Sequence, residues 1–139
     1  MGSSHSWAEH TGELELELAA DSPEELFAEA AVALGRLLAD HEPGGGTGGA
    51  DPVEVEVEVH GRDPATLLAE WLAELAYLAE RQGLVPERVG DLRWGETAIT
   101  ATVHGHRGRP PPLVKAVTYH RLERGAVDGS WRGRAVLDV

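Results

Sequence analysis

Two segments of the chain alternate strictly between apolar and acidic residues. From Glu13 to Ala19, leucine stands at 14, 16 and 18 and glutamate at 13, 15 and 17; in "VEVEVEVH", Val53, Val55, Val57 and Val59 alternate with Glu54, Glu56 and Glu58. A period of two predicts half-buried strands with the aliphatic side chains inward. Each is followed by a helical pattern. In "DSPEELFAEAAVALGRLLADHEP", Ser22 caps, Pro23 takes the first helical position and Glu25 closes a capping box. Phe27, Ala30, Leu34, Leu37 and Leu38 then mark one face. In "GRDPATLLAEWLAELAYLAERQG", Asp63 caps and Pro64 follows. Leu67, Leu68, Trp71, Leu72, Leu75 and Leu78 form the stripe, and Gly83 ends it.

Beyond Pro86 the pattern gives strands at Arg88 to Trp94 and Thr97 to Gly105 around a Gly95-Glu96 turn, then a "RGRPPP" loop. The final strands, Val114 to Arg124 and Trp131 to Asp138, are joined around Asp128-Gly129, a hairpin signal. The expected fold is α+β. One strand-helix-strand-strand module, from the second strand onward, is inserted into another made of the first strand, first helix and final hairpin. The sheet is mainly antiparallel, with both helices packed on one face.

The 139 residues suit a single domain. Residues 1–8 read as a flexible N-terminus and residues 42–51 as a flexible Gly-rich loop. That loop is no phosphate cradle, because no Gly-Lys-Ser/Thr follows and the next element is a strand. The absence of cysteine excludes disulfides, thiolate zinc sites and a cysteine nucleophile, and suits a reducing cytosol. No apolar run reaches membrane-span length and the start lacks signal-peptide order, so a cytoplasmic location and no membrane association are expected.

A net charge of -12 argues against strong direct nucleic-acid binding. The charge is uneven: residues 1–81 hold 18 acidic and 3 basic side chains, residues 82–139 hold 6 and 9. Cross-strand pairing of late arginines with early glutamates accounts for this; the competing account is an acidic patch that docks on a basic partner.

Alternating glutamates on neighbouring strands could gather a hard cation, yet solvated strand faces are commonly charged. The strand tips differ, because a carboxylate there can meet loop carbonyls; Glu13 and Asp138 are the tip candidates. His104 and His106 have the i, i+2 spacing of some metal sites without a third ligand in view. His10 and His120 suit local hydrogen bonds. No nucleophile motif is present, and nothing in the residues themselves builds a catalytic centre.

The opening His10-Thr11 before an acidic residue, the string "VKAVTYHRLER" at Val114 to Arg124 and the ending "AVLDV" resemble the archease family over essentially Glu9 to the C-terminus. The resemblance implies one archease-like domain over residues 1–139 that is not an enzyme. It implies an accessory factor that activates an RtcB-type RNA ligase. That partner joins a 3'-phosphate or 2',3'-cyclic phosphate to a 5'-hydroxyl in tRNA splicing and RNA repair, using GTP and manganese through a guanylylated histidine. The family's opening carboxylate and terminal Leu-Asp, taken as metal ligands, fall on Glu13 and Asp138, with the Val139 backbone beside them. Its functional lysine falls on Lys115, and His10 joins the functional set. The implied cofactor is a divalent metal, calcium or magnesium. Gly12-Glu13 departs from the family's Ala-Asp and adds a methylene to the first carboxylate. Two rival readings are a binding module acting on another partner and a metal-dependent phosphoester hydrolase.

Overall fold

The computed structural model describes residues 2–42, 51–124 and 129–139. Seven strands and two helices follow in the order β1 (Ser3–His10), β2 (Glu13–Ala20), α1 (Pro23–Asp40), β3 (Pro52–His60), α2 (Pro64–Gln82), β4 (Leu84–Trp94), β5 (Ala98–Arg107), β6 (Ala116–Arg124) and β7 (Trp131–Asp138). They form a four-stranded sheet ordered β1-β2-β7-β6 and a three-stranded sheet ordered β3-β5-β4, every described pairing antiparallel. The smaller sheet and α2 are the inserted strand-helix-strand-strand module; β2, α1, β6 and β7 are the module around it. Both helices touch strands of both sheets, so the two modules share one core.

Both helices begin where their caps dictate. Ser22 Oγ accepts the Glu25 N–H at 3.1 Å, and Asp63 accepts the Thr66 N–H at 2.8 Å, which with the Thr66 side chain holds the Asp63 carboxyl below its usual range. Gly83 closes α2 in the left-handed conformation at φ 72°. The helices are joined through Trp71, which is fully buried; its Nε1–H donates to Phe27 O at 2.9 Å across 44 residues of sequence. Leu16 and Leu137 from one sheet, Ile99 and Val103 from the other, and Leu34, Leu72 and Leu75 from the helices complete the core. Each such side chain stabilises the fold by roughly 1.5–3 kcal/mol.

One expectation is corrected. Residues 3–8 are not a flexible start: they belong to β1, which pairs with β2 from Ser3↔Ala20 to His10↔Glu13. Without β1, the backbone of β2 would be an open edge along a core-forming strand. Side chains fix β1 as well. Ser3 Oγ donates to Glu29 on α1 at 2.6 Å and His5 Nδ1 lies 2.5 Å from the same carboxylate. Burial alone would raise the Glu29 carboxyl, but these two bonds hold it below its usual range. β4 also starts at Leu84, earlier than expected, with register shifts at Pro86/Arg88 and Gly90/Arg93 that accommodate the proline. The turn between β6 and β7, expected at Asp128-Gly129, falls largely on residues 125–128, outside the described residues, as do residues 43–50 of the Gly-rich loop.

Candidate functional site

The β1–β2 hairpin closes through only two residues, Thr11 and Gly12, and Gly12 sits at φ 75°, a left-handed conformation that favours glycine. The tight turn puts His10 and Glu13 side by side at one end of the four-stranded sheet. On the other side of β2, the register sets Glu13 opposite Asp138 of β7. The Val139 N–H donates to Gly12 O at 3.1 Å, which makes Glu13/Asp138 the adjoining non-hydrogen-bonded pair, the type in which Cα atoms lie roughly 4.5 Å apart and side chains are closest. The carbonyl of Asp138 therefore faces β6, where it accepts the Lys115 N–H at 2.7 Å.

His10, Glu13, Lys115, Asp138 and Val139, drawn from both ends of the chain and from the start of β6, thus converge on one sheet end. All but Val139 are exposed and Val139 is half-buried. Lys115 is seated by its main chain, while its side chain borders a groove along α2 shared with Tyr77 and Glu80. His10 leans away from Glu13: its Nε2 lies 3.6 Å from Glu15.

The next glutamate inward belongs to a different environment. Glu15 is 8% exposed and its Oε1 lies 2.5 Å from Arg134 Nε. The Arg134 guanidinium pressed against it, outweighing burial and aided by His10, holds the Glu15 carboxyl below its usual range; Glu15 in turn raises Arg134. Glu17 faces Arg134 directly across the strands. Late arginines do pair with early glutamates here, which is the first of the two accounts of the charge asymmetry. The two glutamate ladders do not neighbour each other, since β2 and β3 lie in different sheets.

The donors that Glu13, Asp138 and the Val139 backbone would offer a metal are all oxygen. That chemistry suits a hard cation such as calcium or magnesium. Like charges directly opposite on paired strands repel, and a cation between them would relieve this. No group of three His, Cys, Asp or Glu side chains placed to hold a metal occurs among the described residues, so a bound ion would keep much of its water, as magnesium does.

The two histidines of β5 do not form a metal pair. His104 Nδ1 lies 3.3 Å from Glu54, whereas His106 bridges Glu87 (3.0 Å) and Glu42 (3.2 Å) through its opposite ring nitrogens, so the carboxylates cannot converge on one ion. Burial opposes protonation of His106, but the bonds from Glu87 and Glu42 prevail and raise its pKa. The sequence carries no sign of this cluster, because Glu42 reads as part of a glycine-rich loop. The side chain of His120 lies outside those described.

Comparison with known proteins adds the family. The profile of the Archease protein family (MTH1598/TM1083) matches residues 6–139. An archease from Methanosarcina mazei is 32% identical over the whole of this chain and 98% of its own length, and one from Methanopyrus kandleri is 33% identical over 94% of this chain and 96% of its own. Among solved structures, the solution structure of Methanobacterium thermoautotrophicum protein 1598 superposes with a TM-score of 0.66 at 24% identity, covering 97% of this chain and 98% of the other. The crystal structure of an archease from Thermotoga maritima, described as a possible chaperone, gives 0.63 at 22% identity over 95% and 94%. At these identities the two structures establish the fold.

Proposed function

The chain belongs to the archease family, and from that premise we propose that it is a non-catalytic accessory factor of an RtcB-type RNA ligase. It promotes the ligase's GTP-dependent guanylylation and repeated turnover in tRNA splicing and RNA repair. The observation that carries the reading is the convergence of Glu13, Asp138 and the Lys115 main chain on one exposed sheet end.

A sheet end is a narrow, rigid probe. Its main chain is fixed by pairing on both flanks: β2 lies between β1 and β7, and β7 between β2 and β6. Glu13 and Asp138 place two carboxylates on paired positions of adjacent strands, with no loop backbone to reorganise when they meet a partner. Preorganised charge of this kind lowers an activation barrier without covalent chemistry. A calcium or magnesium ion bound between the carboxylates and the Val139 carbonyl would supply positive charge toward the GTP phosphates. His10, beside Glu13 in the register, adds a donor at the rim, and Lys115 supplies a cation on the α2 side from a fixed main-chain position.

The test is guanylylation of a cognate RtcB-type ligase with labelled GTP and manganese, with and without this protein. Acceleration at substoichiometric amounts is the expected result, and Asp138→Asn should lower it at least tenfold while leaving the fold intact by circular dichroism. Wild-type stimulation by a folded Asp138→Asn protein would remove the tip from the mechanism. No stimulation of a demonstrably competent ligase would move the function to another partner.

A further inference from the structure

Residues 108–115, "GRPPPLVK", cross from the end of β5 in the smaller sheet to the start of β6 in the larger one without regular structure. Three consecutive prolines have no N–H to give, so this strap cannot be pinned along its middle by ladder bonds, and their fixed φ makes it stiff. Among the described residues, its outward main-chain bonds sit toward its two ends. At one end Gly108 N–H donates to Gly83 O (2.7 Å) and Arg109 N–H to Glu42 Oε2 (2.9 Å); at the other Lys115 N–H donates to Asp138 O (2.7 Å).

Glu42 is the unusual member of this set. It stands just beyond α1 with its side chain 5% exposed, a carboxylate the tip does not use. Its oxygens occupy the space a side chain at 108 would need, since a Cβ on Gly108 would lie 2.4 Å from Oε2. Its other oxygen lies 3.2 Å from His106 Nε2, and His106 Nδ1 lies 3.0 Å from Glu87. An unpaired buried carboxylate is costly, and among the described residues the Arg109 N–H and the His106 ring meet its oxygens.

We propose that Glu42 is a positioning residue for the tip: clamped by His106, it anchors the proline strap whose far end seats Lys115 on Asp138. The inference rests on the functional role given to Lys115 above, but its geometry is testable without a ligase. The clamp also carries a pH dependence. The groups around His106 are Glu42 beyond α1, Glu87 and Arg88 on β4, Asp51 and Glu54 at the β3 side, His104 and Arg107 on its own strand, and Arg109 on the strap. Because the folded protein raises the pKa of His106 above its ordinary 6.5, the clamp is complete below about that value and loosens as pH rises through the raised one.

The experiment is NMR on the full chain. In Glu42→Ala, hydrogen exchange of both the Arg109 and Lys115 amides should accelerate at least tenfold, while the Val139 amide, bonded to Gly12, keeps its protection. Glu42→Gln keeps an acceptor for Arg109 but loses the charge. It should restore Arg109 protection only in part at pH 6, leave the Lys115 amide exchanging faster than in the wild type, and lower the ring titration of His106. In the wild type, the Lys115 amide shift should follow the His106 titration. Acceleration confined to Arg109, or a Lys115 amide blind to that titration, would overturn the proposal. If Glu42→Ala does not fold, Glu42→Gln and the wild-type titration decide it. These readouts need no ligase, so they stand or fall separately from the ligase reading; stimulation of guanylylation that is lost in parallel with Lys115 protection would join the two.

Discussion

β2 and β3 carry the same alternation, yet their glutamates lead different lives. β2 is an interior strand, flanked by β1 and β7, and each of its glutamates has a cross-strand neighbour of consequence: Asp138 for Glu13, and Arg134 in reach of both Glu15 and Glu17. β3 is an edge strand whose Glu54, Glu56 and Glu58 face His104, Thr102 and Thr100 and remain exposed. Periodicity chooses the face of a strand; the neighbour across the ladder decides whether a charge on that face is solvated, neutralised or poised. The exposed acidic row on β3 has a use of its own, because charge along an edge discourages pairing with another chain.

The largest expected difference between the sheets lies in how closely their backbones approach. A Cβ on Gly105 of β5 would lie 2.0 Å from the Val85 carbonyl, which is main chain and cannot swing aside; a Cβ on Gly133 of β7 would meet side-chain tips, those of Leu68, Leu26 and Leu122 at 3.1, 3.2 and 3.5 Å. Gly105→Ala should therefore destabilise by at least about 1–3 kcal/mol, and Gly133→Ala by well under 1.5, read from urea midpoints. Equal losses would mean that the smaller sheet relaxes as readily as the larger.

Next in size is Glu15→Gln against Glu56→Gln. Arg134 holds the Glu15 carboxyl below its usual range, so Glu15 contributes stability above its unfolded pKa, near 4.5, and loses it as pH falls through the lower folded value. Glu15→Gln should be less stable than wild type at pH 7, with the gap closing in acid. Glu56→Gln should stay within about 0.5 kcal/mol of wild type at neutral pH. A gap for Glu15→Gln that persists at pH 2 would point to packing rather than charge.

The smallest effect concerns the tip. Millimolar calcium should raise the thermal midpoint by less than the roughly 2.7 kcal/mol equivalent of a hundredfold excess over Kd. Glu13→Gln or Asp138→Asn should abolish the rise, and Glu54→Gln should leave it intact. A rise that survives both tip variants would place the ion elsewhere.

Much of this was legible in the residues. Caps, prolines and apolar stripes located both helices, since Ser22-Pro23 and Asp63-Pro64 satisfy the first N–H groups wherever they occur. The nested modules followed from counting strands after each helix. β1 was not legible, because "SSHSWAEH" has one large apolar residue and owes its order to β2 and to Glu29 on α1. The pairing of Glu13 with Asp138 could be reached only by resemblance, since no local pattern fixes the register between residues 125 positions apart. The Glu42–His106 clamp had no signal of any kind. A buried carboxylate is recognised by what surrounds it, and here that is His106 of β5 and the start of the strap, more than sixty residues away in sequence.

The nesting of one module in the other also orders events during synthesis. Chains emerge from the ribosome N-terminus first, and β3, α2, β4 and β5 are complete by Arg107, so the inner module can pair its strands while β6 and β7 are still unmade. The tip cannot exist at that stage: Glu13 waits through more than a hundred residues for the strand that carries Asp138. Premature termination between Arg107 and that strand therefore yields a chain with a complete inner module and no working end. Any partner that reads the tip is reading, in the same contact, that β7 has been made and has paired with β2.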